Sequence, residues 1–282
     1  MRNVLSADLY RLSRQKSTWL LPVFTLLAVF LLSCLNGFLF GNAPWVKEIH
    51  EAIASGAAQV DDQAGLNGSL SSVSMLFGGA FKSTADYITT TFQRDTMIVL
   101  VLFVSFYAAS VRRNGFCKNI GKIYNSAVYN ISQALVILAY SLVIIFVNLG
   151  ASLLASTIFF TGMEFGNAGS LLLYFLITGV LHWAEALMVV LMCDFFKNPS
   201  TGVIIGCLYN GLIVSLACSL LNSLFAMVLK TDFKLNHIMP YGFSMIMKYD
   251  DTKSYLYGVA LAAIYVVIFF IGKALVRKKD VA

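Results

Sequence analysis

His182 and Glu185 stand three positions apart inside a long apolar run, Ser170–Met192. Residues three apart on a helix share a face, so this imidazole and carboxylate are neighbours. In lipid, an ionisable side chain at that depth costs about 3 kcal/mol or more, so it turns toward a bundle interior or a water-filled path. The pair therefore reads as a polar element of a translocation path or as a proton-linked pair. The commoner alternative is an internal contact that holds helices together.

Enzymatic chemistry finds little else. The chain has 3 histidines, His50, His182 and His237, and no HExxH zinc signature. A serine hydrolase needs a nucleophile and a base on facing spans, and His182 alone could supply the base. Gly115 to Lys122 (GFCKNIGK) superficially resembles a phosphate-binding loop. Five residues separate its glycines where that loop has four, and Ile123 stands where Ser or Thr would bind magnesium. The chain is thus not expected to be an enzyme or to bind a cofactor or metal itself.

The elements that hold these residues are membrane helices. Of the 282 residues, 59% are hydrophobic and 12% charged, with a mean hydropathy of +0.78. A soluble domain carries about 25% charged residues, so this chain lacks a water-facing shell. The long apolar runs fit helices, since a spanning helix needs about 20 apolar residues and a barrel strand alternates over about 10. The expected fold is an all-α polytopic membrane protein with six transmembrane helices, forming one domain over residues 1–282. The spans are placed at 19–40, 95–111, 127–160, 170–192, 201–229 and 255–276.

Lysines and arginines orient these spans. Of the 20, 13 lie in short flanks: the N-terminus, 112–122, Lys197 and the C-terminal end. The other 7 are spread over longer loops. The denser set belongs inside, which puts both termini in the cytoplasm of a multi-pass cell-membrane protein, with a bacterial source expected. This pattern, rather than nucleic-acid binding, accounts for the net charge of +6. The 5 cysteines sit in apolar runs or a basic loop, so no disulfide framework is expected.

Residues 1–17 place Leu5, Leu9 and Leu12 at helical spacing among basic residues, as in an interfacial helix on membrane lipids. Residues 41–94 form a large outer loop in which Trp45 to Ala58 has amphipathic periodicity. Residues 230–254 are too apolar for a free loop and too short to span, which fits a re-entrant outer segment. The loop after span two mixes Phe116 and Ile120, four apart, with Arg112, Arg113, Gly115, Lys118 and Asn119. An apolar pair rimmed by charge is the pattern of a short helix offered to a partner protein.

The whole chain resembles the type-2 membrane subunits (permeases) of ABC exporters. The likeness rests on four places: the opening Leu5-Ser6-Ala7-Asp8-Leu9-Tyr10-Arg11-Leu12, the loop Asn114-Gly115-Phe116-Cys117-Lys118-Asn119, the stretch between spans five and six, and the ending Arg277-Lys278-Lys279-Asp280-Val281. Arg112 and Arg113 depart from the acidic residue common there. The resemblance implies a cytoplasmic coupling helix after span two, in which Arg112, Arg113, Gly115, Phe116, Lys118, Asn119 and Ile120 contact an ATPase. It also implies two cytoplasmic ATPase subunits that bind ATP and Mg, and a second permease subunit, the same or different. The cargo implied is a peptide, antibiotic or lipid-like molecule. An ion-coupled secondary transporter using His182 and Glu185, or a membrane scaffold or sensor, are the alternatives.

Overall fold

The computed structural model describes residues 2–57, 83–113, 126–162, 164–195, 204, 220–225, 227, 230 and 234–281. The elements in chain order are α1 (Arg2–Ser13), α2 (Lys16–Phe40), α3 (Pro44–Ala57), α4 (Thr84–Arg113), α5 (Ser126–Phe159) and α6 (Ala168–Phe195). A 3-10 turn at Leu235–His237, α7 (Pro240–Ile246) and α8 (Thr252–Val281) follow, and residues 220–225 are also helical. There is no strand among the described residues.

Among the described residues, four helices are long and apolar enough to cross a membrane: Thr18–Leu39, Ala127–Phe159, Ala168–Phe195 and Thr252–Val276. They overlie the spans placed at 19–40, 127–160, 170–192 and 255–276. The span placed at 95–111 lies inside α4, which begins at Thr84. Asp86, Gln93, Arg94 and Asp95 lower the hydropathy of its first half, so the apolar run alone is short for a span and an earlier start is expected. The segment 201–229 lies mostly outside the described residues. So does the 58–82 part of the outer loop, whose described remainder is α3 and the first turns of α4.

Helix α6 is the centre of the bundle. Of its most apolar stretch 72% is buried, against 18% for α2 and 17% for α8. Helices α4, α5 and α8 surround it, and α2 packs outside α5. Small residues let these helices approach closely, as is common where lipid gives no hydrophobic drive between helices. Gly179 faces Ile145, Gly272 faces Leu191, and Gly37 faces Phe159. Phe103 of α4 stacks on Tyr140 of α5 at 3.4 Å between ring centroids.

Pro22 sits inside α2 and has no N–H to give the carbonyl four residues earlier, that of Thr18. Tyr140 supplies a replacement: its hydroxyl donates to the Thr18 carbonyl at 3.2 Å. The break in the helix ladder is thereby covered by a neighbouring helix, as membrane proline sites require.

The helix directions follow from contacts at the two ends. At one end, Asn42 after α2 exchanges two hydrogen bonds with Thr161 after α5, at 2.9 and 2.7 Å. The Thr84 amide, opening α4, donates to the Glu164 carbonyl at 3.1 Å. Ser170 of α6 donates to the Asp250 carboxylate just before α8, and Tyr249 donates to the Asn167 carbonyl at 2.8 Å. At the other end, Lys273 of α8 pairs with Asp194 of α6. Helices α6 and α8 therefore run parallel.

Candidate functional site

His182 and Glu185 are both buried in the middle of α6, as is Thr178 one turn earlier. His182 Nε2 lies 3.3 Å from the hydroxyl oxygen of Ser244 on α7. Tyr265 of α8 is within electrostatic reach of Glu185. The pair thus faces the bundle interior, where His182 meets Ser244 of α7. Ser244 gives no signal in the sequence because 62 residues separate it from His182 and no spacing links them. A Ser–His contact invites an acyl-transfer reading. Both side chains are fully inaccessible, however, so no substrate carbonyl reaches the hydroxyl in this conformation.

A second polar cluster joins α1 to the bundle. Asp8 is fully buried, and its carboxylate accepts hydrogen bonds from Arg11 at 3.2 Å, Tyr107 of α4 at 3.2 Å and Ser132 of α5 at 3.5 Å. The Arg11 guanidinium also lies over the Tyr107 ring, 4.8 Å from its centroid. Burial pushes the Asp8 carboxyl above the usual carboxylate value, while Arg11 and the hydroxyl donors pull against it. Among the described side chains of α1, Val4, Asp8 and Leu12 are buried, spaced by four, whereas Leu9 is exposed. The helix therefore docks on α4 and α5 along a face centred on a charge. Its outward side carries Tyr10, whose hydroxyl accepts from the guanidinium of Arg14, just after the helix, at 2.9 Å.

A third cluster lies at the same end of the bundle. Lys273 is 8% exposed and donates to Gln133 of α5 at 2.7 Å as well as pairing with Asp194. Among the described residues, no group of three or more His, Cys, Asp or Glu side chains is placed to hold a metal ion.

Arg112 and Arg113 close α4, with side chains outside the described set. Gly115, Phe116, Lys118, Asn119 and Ile120 lie outside the described residues altogether. What is described are the two ends that this loop joins, the last turn of α4 and the first turn of α5. No protein-family model matches the chain, and no curated protein or solved structure shows significant similarity to it.

Proposed function

We propose that this chain is the transmembrane permease subunit of an ATP-driven ABC exporter, a six-span protein of the bacterial cell membrane with both termini in the cytoplasm. It is powered by two separate cytoplasmic ATPase subunits, and it works with a second permease subunit around a pathway for peptide, antibiotic or lipid-like cargo. The observation that carries this reading is the docking of α1 through Asp8 onto the two helices that flank the loop 114–125. A partner pressing on that loop is thereby placed to move α1, α4 and α5 together. The parallel course of α6 and α8 supports the count of six, because a fifth passage is needed between them. It also supports placing both termini on one side.

In this mechanism the ATPase pair closes on ATP, pushes the loop around Phe116 and Ile120, and tilts the helices anchored to it. Phe116 and Ile120 form the apolar anchor, with Arg112, Arg113, Lys118 and Asn119 as its polar rim. Truncating a central anchor of an interface often costs more than about 1 kcal/mol. The double substitution Phe116→Ala with Lys118→Glu is expected to leave expression and membrane insertion intact. The associated ATPase should be lost from the purified complex by tenfold or more, about 1.4 kcal/mol of affinity. Normal retention of the ATPase by that variant would sink the coupling assignment.

One observation favours a second reading. The buried stripe of Thr178, His182 and Glu185 would suit an ion-coupled secondary transporter. Glu185→Gln keeps the shape of the side chain and deletes its charge. In an ATP-driven exporter, transport by this variant keeps its dependence on ATP. Loss of a pH-gradient-driven flux in the variant would instead establish the secondary transporter.

A further inference from the structure

We infer that the first turns of α5 are a mechanical hub that locks two buried charge clusters to each other. The observation is one of adjacency. Ser132 and Gln133 are consecutive, and successive helix residues point about 100° apart, so they face different neighbours. Ser132 donates to the Asp8 carboxylate that also holds Arg11 and Tyr107. Gln133 accepts from Lys273, which pairs with Asp194. The next residue, Ala134, accepts through its carbonyl from the Trp183 indole at 2.8 Å. Three consecutive residues thus tie α5 to α1, α8 and α6, and through Asp8 to Tyr107 of α4.

The two charged attachments are of the kind that resists sliding. An apolar contact between helices permits small shifts at little cost. A buried carboxylate or ammonium does not, because leaving its partners exposes a desolvated charge. Both clusters are nearly closed to solvent at their centres, with Asp8 inaccessible and Lys273 at 8% exposure. A displacement of α5's first turns must therefore carry both clusters or break one of them. Resting on the exporter reading, the hub is the part of the permease that receives the push delivered through 114–125. It divides that push between the N-terminal helix and α8.

A double-mutant cycle on the full-length protein in lipid nanodiscs tests this without any ATPase. Tyr107→Phe deletes one hydroxyl of the first cluster, and Lys273→Met neutralises the second; neither residue is on α5. Hydrogen exchange in residues 126–134 reads the opening of the hub. The double variant's opening constant should depart from the product of the single effects by more than about twofold, the scatter of independent sites. Effects that multiply within that scatter show two separate anchors and overturn the hub. Where Lys273→Met fails to accumulate, Gln133→Leu replaces it and keeps both charged partners. In the complex, the same double variant should alter ATP turnover non-additively, with the ATPase still bound. Additive turnover beside non-additive exchange confines the hub to folding and overturns its coupling role. A wild-type chain that binds no ATPase refutes the exporter reading, whereas the hub still stands or falls on the exchange cycle alone.

Discussion

Lys273→Ala should destabilise the bundle by about 3 kcal/mol, the lower end of what breaking a buried ion pair costs. The substitution leaves the Asp194 carboxylate and the Gln133 amide oxygen facing a void where the ammonium was. Asp194 keeps 22% exposure, so water screens part of the loss and holds the effect at that lower end. The Lys273 ammonium also lies over the Phe269 ring, 5.3 Å from its centroid. Lys273→Met keeps an unbranched side chain of similar length and removes the charge, which separates the charge from the volume. Pairing Lys273→Met with Asp194→Leu removes both charges and should recover most of the lost stability, since apolar replacements of a buried pair are often neutral. Thermal unfolding in detergent, read as loss of monodisperse protein, ranks the variants. A single variant as stable as the wild type would reduce the pair to a solvent-screened surface contact.

The second large effect is expected where α2 meets α5. A Cβ added at Gly37 would stand 2.5 Å from Phe159 Cγ, well inside contact distance. The next turn is equally tight, because a Cβ added at Gly41 would stand 2.6 Å from the Phe159 carbonyl oxygen. Phe159 has little room to yield, since Trp45 lies against it with ring centroids 5.2 Å apart. Gly37→Val should therefore force α2 outward and destabilise by about 1–3 kcal/mol, the range for overpacked sites. Phe159→Ala creates space at the same place, so combining the two should give a protein more stable than either single variant. If the losses simply add, the helices do not meet at Gly37.

How much of this is legible in the sequence depends on whether the signal is local. The apolar runs give the ends of α5 and α6 to within a few residues, because hydropathy is a property of the segment itself. The shared face of His182 and Glu185 is equally local. For α1, local periodicity is only part of the signal. Of Leu5, Leu9 and Leu12, Leu12 is buried and Leu5 packs against the core, while Asp8 is buried beside Val4. The groups that make a buried Asp8 tolerable are Tyr107 and Ser132, 99 and 124 residues away, and no window reaches them. Lys273 reads as an orienting charge, which explains its side of the membrane but not its partners. Asp194 has no local signature, being one acidic residue at the end of an apolar helix.

The Lys273–Asp194 pair has a consequence for how the protein is made. Asp194 leaves the ribosome 79 residues before Lys273 does. Chains emerge at about 5–20 residues per second, so several seconds pass before the counter-charge exists. During that interval α6, the helix with the largest buried share, has α5 beside it but not α8. The Lys273 counter-charge therefore reaches α6 only when the last helix is synthesised. Premature stops between residues 195 and 272 are thus predicted to yield chains cleared by membrane quality control, however many of their helices have already been inserted.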